Sequence, residues 1–272
     1  MKTAIAGLEL HRATSLQDAL TRMSEEGRTP IAGATDLYVA LNFGTLAPRR
    51  FVDIWPLDEL RGISRRGDTL VLGALATYTA LIRSPIVGGH LPMLIEASRQ
   101  VGGPQIQNRG TIGGNIANGS PAADSVPVLA AADAVVVLAS LAGERRVPMT
   151  QFYTGYRASV MHADELIVAV EIPPVNGRQW FRKVGTRAAQ AISKIVVAGV
   201  RGPEPRFALG SVAPTVVRAH ATERALVSGA SLDEASGILR REITPIDDVR
   251  SSADYRAQVA ERLLRRFWSE TS

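Results

Sequence analysis

The spacing of apolar and polar residues divides the chain into three stretches. In the first 55 residues, "SLQDALTRMSEEG" has the period of an amphipathic helix that begins after Ser15 and ends at Gly27. "TPIAGA" and "RRFVDI" have the character of short strands, and "TDLYVALNFG" has that of a second helix ending at Gly44. This order predicts a small βαβ unit whose crossover begins at a tight glycine turn.

The middle stretch, residues 56–175, is built differently. The pattern predicts strands at "DTLVLGA", "DAVVVLAS" and "ELIVAVEIP", and helices at "TYTALIRS" and "LPMLIEASRQ". Between Val101 and Asp124 neither period fits, which predicts a long functional connection. The apolar run over 126–143 contains Pro127 and Asp133, so it predicts a helix and then a buried strand rather than a membrane span.

Residues 176–272 form the third stretch, after the turn cluster "PPVNGRQ". Three strand-like runs, "WFRKVGT", "KIVVAGV" and "RFALGSVA", precede helical segments. In the last helix, "YRAQVAERLLRRFW", an apolar stripe is expected at Tyr255, Val259, Leu263 and Phe267. The chain is therefore divided into units 1–55, 56–175 and 176–272, the last of them an α+β domain.

The composition narrows the chemistry of this 272-residue chain. It has no cysteine, so it contains no disulfide and no thiolate-ligated metal or cluster, and any iron–sulfur centre must lie on another chain. The histidines at 11, 90, 162 and 220 lack metal-ligand spacing, and we expect no metal site. The net charge is +5, but basic residues are dispersed and lack interleaved aromatics, so no nucleic-acid site is expected.

The beginning of the chain, "MKTAIAGLELHRATS", has one lysine and a short apolar run broken by Glu9. This is a poor match to a signal peptide, and together with the absence of a membrane span it predicts a cytoplasmic protein.

Two glycine loops carry the candidate site. In "PIAGATDL" the free N–H groups near Gly33 suit an anion, although a plain capped turn is the alternative for this loop alone. In "TIGGN" glycines permit a close approach, and Thr111 and Asn115 offer polar side chains; Asp124 follows as an acceptor for a sugar or polyol hydroxyl. Two amide-rich loops suit two phosphates and a polyol, as in a flavin dinucleotide, whereas no Rossmann or P-loop motif occurs.

The motifs that carry a family resemblance run through nearly the whole chain. They are "IAGATDL", "QIQNRGTIGGNIANGSPAADSVPVLAAADA", "ELIVAVEIP", "FRKVGTRAAQAISKIVVAGV", "LGSVAPTVVRA" and "DDVRSSADYRAQVAERLLRRF". In these the chain resembles the FAD-binding medium subunit of the molybdenum hydroxylases, the xanthine dehydrogenase and carbon monoxide dehydrogenase group.

The resemblance implies an α+β fold, namely an FAD-binding module of two α/β subdomains followed by an α+β flavoprotein C-terminal domain. It implies an FAD site at the following residues: Ala32, Gly33, Ala34, Thr35, Asp36, Leu37, Val101, Gly102, Gly110, Thr111, Gly114, Asn115, Asp124, Ile167 and Lys183. Ala34 stands where the family usually has glycine, and Gln107 replaces a common arginine.

The function that the resemblance implies is electron transfer. A molybdenum-cofactor large subunit oxidises the substrate, an iron–sulfur small subunit passes electrons singly, and FAD on this oxidoreductase subunit delivers them to NAD⁺, oxygen or a quinone-like acceptor, in a dimer of heterotrimers. The chain needs no catalytic residues of its own for this, because the chemistry belongs to the cofactor. Two alternatives are a self-sufficient flavin reductase or oxidase, similar to the cell-wall enolpyruvyl reductases, and a non-catalytic binding protein.

Overall fold

The computed structural model describes residues 5–272, which form a mixed α and β protein. Two short 3₁₀ helices occupy Ile5–Gly7 and Asp58–Leu60. The α-helices are α1 Leu16–Glu26, α2 Leu37–Phe43, α3 Tyr78–Arg83, α4 Pro85–His90, α5 Pro92–Arg99, α6 Pro104–Gln107, α7 Ile112–Asn118, α8 Val126–Ala131, α9 Met149–Phe152, α10 His220–Val227, α11 Leu232–Glu242 and α12 Ala253–Glu270. The strands are β1 Glu9–Arg12, β2 Thr29–Ile31, β3 Arg50–Asp53, β4 Ile63–Arg66, β5 Thr69–Gly73, β6 Val135–Ser140, β7 Gly143–Pro148, β8 Tyr153–Gly155, β9 Ala158–Ser159, β10 Leu166–Ile172, β11 Arg178–Val184, β12 Ile195–Arg201, β13 Arg206–Gly210 and β14 Val217–Arg218.

The first unit is a three-stranded parallel sheet in the order β1-β3-β2. Helix α1 begins at Ser15, whose side chain accepts from the N–H of Asp18, and ends at Gly27 with φ +62°. Strand β2, helix α2 and strand β3 confirm the predicted βαβ unit, and Gly44 ends α2. The parallel arrangement sends the chain from the end of β2 directly into the first glycine loop.

The second unit is a five-stranded antiparallel sheet in the order β4-β5-β10-β6-β7. The prediction of a helix and then a buried strand over 126–143 is confirmed. The structure has helix α8 followed by the buried strand β6, with Asp133 at φ +51° between them. Among residues 5–272 there is no helix with the length and hydropathy of a membrane span.

The connection over 101–124 differs from the prediction of a segment without periodic structure. It contains the four-residue helix α6 and the seven-residue helix α7. Helix α7 has the sequence "IGGNIAN", in which only two residues are apolar beyond alanine and glycine, so no amphipathic period is visible. Its position is set by packing, since Ile112 and Ile116 are both fully buried.

The third unit is a four-stranded antiparallel sheet, β11-β12-β13-β14, covered on one face by α10, α11 and α12. In α12 the buried face is rotated relative to the predicted stripe, so that Tyr255 is exposed and Arg256 is buried. The other face of this sheet packs on α8 and α5, which also cover the five-stranded sheet. The opposite face of the five-stranded sheet packs on α1. The glycine loops lie where these units meet.

Candidate functional site

Two neighbouring cavities lie at the junction of the three units. The smaller, of about 320 Å³, lies between the loop after β2 and the first turn of α7. The larger, of about 820 Å³, lies between the connection from α7 to α8 and the C-terminal unit. The two cavities share four of their lining residues: Asp36, Val101, Asn115 and Asn118. The shared wall makes them one cleft with two compartments.

The first glycine loop presents bare backbone to the smaller cavity. The N–H groups of residues 32–37 donate to no protein acceptor within the described chain. Asp36 stands at the N-cap of α2, but its side chain accepts no cap hydrogen bond, so the loop is not the plain capped turn that was the alternative for it. Ala34 has φ +62°, a conformation that costs a residue with a Cβ about 1–2 kcal/mol. Successive free amides around a left-handed residue form a concavity suited to an anion.

The second glycine loop is different from the expected amide-rich loop, because its amides are already used. The N–H groups of Ile112, Gly113 and Asn115 donate to the carbonyls of Ala76, Ala74 and Thr111, respectively. That of Gly114 donates to the Thr111 hydroxyl at 3.1 Å. A Cβ at Gly114 would approach only this hydroxyl, at 2.9 Å, so this face of the loop is open toward the smaller cavity.

A buried ion pair forms part of the wall of the larger cavity. Lys183 Nζ donates to Asp124 Oδ2 at 2.6 Å and to the Gln100 carbonyl at 3.2 Å, and the Lys183 side chain is only 5% exposed. Burial raises the pKa of Asp124 to about 6, although Lys183 opposes the shift. The second carboxylate oxygen, Oδ1, is buried without a hydrogen-bond partner in the described protein. A buried acceptor of this kind is available to a hydrogen-bond donor of a ligand.

Arg256 is a residue of this cleft that sequence reasoning missed. It is 3% exposed and lines the larger cavity. Its guanidinium donates to the carbonyls of Lys194 and Ser211 at 2.9 and 2.8 Å and to Asp248 Oδ1 at 2.7 Å, so it joins three wall segments. The buried Ala260, one helical turn later on the same face, is the signal that could have indicated it.

The structure brings most of the predicted site residues together. The smaller cavity is lined by all six predicted site residues of the first loop, 32–37. It is also lined by five predicted site residues of the second segment: Val101, Gly110, Thr111, Gly114 and Asn115. The larger cavity adds Gly102 and Asp124. Lys183 lines neither cavity and contacts the cleft wall through its ion pair with Asp124. Ile167 lies in β10, buried in the core, and lines neither cavity.

Comparison with protein families gives this cleft its context. Residues 6–175 match the family model described as the FAD binding domain in molybdopterin dehydrogenase. The chain belongs to this family. Residues 180–271 match the model of the CO dehydrogenase flavoprotein C-terminal domain, so the family resemblance and the fold class predicted from the sequence are confirmed.

Two relatives show how far the similarity extends. The carbon monoxide dehydrogenase medium chain of Hydrogenophaga pseudoflava is 32% identical over 271 residues, 95% of this chain and 94% of that protein. The putative xanthine dehydrogenase FAD-binding subunit of Escherichia coli is 34% identical over 276 residues, 96% of this chain and 94% of that protein.

Solved structures agree with these sequence relatives. The carbon monoxide dehydrogenase from Hydrogenophaga pseudoflava that lacks the Mo-pyranopterin moiety matches with a TM-score of 0.89 and 31% identity, covering 97% of this chain and 98% of that one. Quinoline 2-oxidoreductase from Pseudomonas putida 86 matches with a TM-score of 0.91 and 25% identity, covering 99% and 98%.

FAD is therefore the cofactor of this chain, which is an electron-transfer subunit among oxidoreductases of the molybdenum hydroxylase type. The self-sufficient flavin reductase is not favoured, because the relatives are subunits of molybdenum hydroxylases. The residues present fit FAD on structural grounds as well. Free amides suit its diphosphate, the unpartnered Asp124 oxygen suits a hydroxyl donor, and the open face at Gly114 leaves room for close contact.

Proposed function

We propose that this chain holds FAD noncovalently across both compartments and relays electrons from an iron–sulfur subunit to an external acceptor. The observation that carries the proposal is the continuous cleft, with free amides at one end and the unpartnered buried carboxylate oxygen at the other. Bound FAD would supply the redox chemistry, because it accepts and releases two electrons. The chain supplies position, charge and exclusion of water.

The first loop would hold the diphosphate of FAD. The N–H groups of residues 32–37 are free to donate, and a left-handed residue such as Ala34 is a common part of the backbone concavities that bind anions. Thr111, Gly110 and Gly114 form the facing wall of the smaller cavity. Charge-assisted hydrogen bonds to phosphate are about twice as strong as neutral ones, so this loop would contribute much of the affinity.

The larger cavity would hold the polyol and flavin portions. Asp124 would accept from a ribityl or ribose hydroxyl through Oδ1, while Lys183 holds the other oxygen. Val101 and Gly102 would line the wall where the two compartments meet. Ile167 would support the wall from the core of the five-stranded sheet rather than contact the cofactor.

The proposed partners follow from what the chain lacks. Without cysteine it carries no thiolate-ligated cluster of its own, and in the proposed relay single electrons reach FAD from an iron–sulfur subunit. A molybdenum-cofactor large subunit would oxidise the substrate, and the three chains would assemble as a dimer of heterotrimers in the cytoplasm. The relatives include proteins named as medium chains and one named as a subunit of a dehydrogenase complex, which supports a multi-subunit assembly.

In the proposed division of the chain into three units, residues 1–55 form the βαβ unit, residues 56–175 form most of the cleft wall, and residues 176–272 form the opposite wall. Each unit has its own sheet, and the cleft lies at their junction, which supports this division.

Purification of the chain tests the cofactor assignment. We expect a yellow protein with about one flavin per chain that acid or heat releases as FAD, because no cysteine is available for a thioether link. Release of FMN would contradict the diphosphate assignment, and retention of flavin after denaturation would contradict noncovalent binding.

Coexpression with candidate iron–sulfur and molybdenum subunits from the source organism tests the relay. Reducing substrate should bleach the flavin of the assembled complex and leave the isolated chain unchanged. Oxidation of that substrate at full rate by the isolated chain would overturn the relay.

A further inference from the structure

A hydrogen-bonded chain of buried hydroxyl groups ends on Asn115, the residue that lines both compartments. Ser125 Oγ donates to Asn115 Oδ1 at 2.8 Å, and Tyr78 Oη lies 3.2 Å from Ser125 Oγ. Ser125 is fully buried and Tyr78 is 2% exposed. Ser125 lines neither compartment, whereas Tyr78 lines the smaller one.

The number of hydroxyl hydrogens fixes which group donates in each of these two hydrogen bonds. A serine hydroxyl has one hydrogen, so when Ser125 donates to Asn115 the hydrogen between Ser125 and Tyr78 must come from Tyr78. The opposite direction would leave the Tyr78 O–H without an acceptor within residues 5–272. An unsatisfied buried hydroxyl is costly, which disfavours that arrangement. Burial also raises the pKa of Tyr78, so the phenol keeps its proton throughout the physiological range.

The direction of these hydrogen bonds decides which end of the Asn115 amide faces the cleft. Its oxygen is taken by Ser125 in the interior, so its NH₂ group is the end left for the compartments. That nitrogen donates to no acceptor within the described residues. A free asparagine side chain could turn either its donor or its acceptor to a ligand.

We propose that Tyr78 and Ser125 are positioning residues that lock the amide of Asn115 with its NH₂ group toward FAD. The site thereby selects an acceptor atom of the cofactor, a phosphate oxygen or a flavin carbonyl or ring nitrogen, at the boundary of the two compartments. This inference rests on the proposed FAD site and adds two residues that act through Asn115, one of which, Tyr78, also lines the smaller cavity.

The isosteric change Asn115→Asp tests the orientation. It keeps an acceptor for Ser125 and replaces the NH₂ group by a second acceptor, so the FAD dissociation constant should rise by about tenfold or more at pH 7.5. Asn115→Ala should weaken binding less, because it removes a donor without adding repulsion. Titration of apoprotein by flavin fluorescence gives both values. Unchanged binding by Asn115→Asp would show that the oxygen faces FAD and would overturn the inference.

Changes at the two hydroxyl groups test the positioning role. Ser125→Ala should raise the dissociation constant by about five- to tenfold, and the isosteric Tyr78→Phe by about two- to fivefold. The matched control is Ser98→Ala, which removes a buried hydrogen bond to the Leu94 carbonyl in helix α5, away from Asn115. This control should change FAD binding by less than about twofold.

A double-mutant cycle separates positioning from general stability. Ser125→Ala should have no further effect on FAD binding in an Asn115→Ala background, because the amide that it orients is gone. Additive effects, or binding by Ser125→Ala and Tyr78→Phe equal to that of the wild type, would overturn the inference while the FAD site stands. A wild-type chain that takes up no FAD would instead overturn the proposed function.

Discussion

The two glycine loops look alike in sequence but differ in what they offer a ligand. The loop at residues 32–37 has free N–H groups and one strained alanine, whereas the N–H groups of residues 112–115 all donate within the protein. The second segment contributes side chains instead: Thr111, Asn115 and, further on, Asp124. The first loop therefore offers a ligand mainly backbone groups, whereas the second segment offers polar side chains.

This difference predicts different responses to change. A backbone site is insensitive to most side-chain chemistry and is destroyed by a misplaced Cβ. A site of buried polar and ionised side chains responds to charge and to pH, because each group depends on its partner for satisfaction. The following changes test whether the contrast holds.

Gly33→Ala should have the largest effect. Its Cβ would lie 1.7 Å from the carbonyl oxygen of Arg109, so the two loops could not keep their contact. We expect a loss of about 3 kcal/mol in the free energy of unfolding and no measurable FAD binding. Chemical denaturation and flavin titration measure the two quantities.

Gly114→Ala is the matched control, because its Cβ meets only the Thr111 side chain. It should weaken FAD binding and leave the fold nearly as stable as the wild type. A Gly33→Ala chain of wild-type stability would show that the loop contact at Arg109 is dispensable.

Lys183→Met should have the next largest effect. It leaves the buried Asp124 carboxylate without its cation, which we expect to cost about 2 kcal/mol of stability at pH 7.5. FAD binding should weaken as well, since Asp124 would hold a proton. Adding Asp124→Leu should restore most of the stability, because no buried charge remains, but FAD binding should stay weak. Recovery of both by the double variant would show that Asp124 does not contact FAD.

The effect of pH on FAD binding should be smaller, and the effect of pH on stability should carry a defined sign. Burial raises the pKa of Asp124 to about 6, above its value of 3.8 in the unfolded chain. Its contribution to stability is therefore fully present below about pH 4 and is lost as the pH rises to about 6, by about 3 kcal/mol in total. FAD binding should follow the opposite course, because a hydroxyl donor prefers the carboxylate.

We expect the FAD dissociation constant to rise about fivefold when the pH falls from 7.5 to 5.5. Asp124→Asn, which cannot titrate, is the control and should show a flat profile over this range. A pH response of Asp124→Asn equal to that of the wild type would assign the effect to another group.

Ala34→Gly should have the smallest effect, and it should be favourable. Glycine adopts φ +62° without strain, although it gains entropy in the unfolded chain, so we expect an increase in stability of up to about 1 kcal/mol. FAD binding should be retained, because the amides stay in place. Ala40→Gly, in helix α2, is the control and should lose about 0.5–1 kcal/mol. Thermal unfolding measures both, and a loss at Ala34→Gly would mean that its methyl group makes contacts worth more than the strain.

The sequence by itself determined the elements and the family. Helix α1 and its caps, the βαβ unit and the step from α8 to β6 were all predicted from periodicity and turn residues, because these signals are local. The two glycine loops were recognised for the same reason, since glycine clusters are visible wherever backbone must approach a ligand. Motifs in order along nearly the whole chain then indicated the flavoprotein family.

Only the tertiary structure decided which polar groups remain free for a ligand. Whether an N–H group is free depends on carbonyls far away in sequence, as Ala74 and Ala76 show for α7. Helix α7 itself has no amphipathic period, and the burial of Arg256 depends on which face α12 turns to the sheet. Tyr78 and Ser125 lie 47 positions apart, and no local signal links either to Asn115. Such hydrogen bonds and ion pairs form between separate elements, so they exist only once packing has brought those elements together.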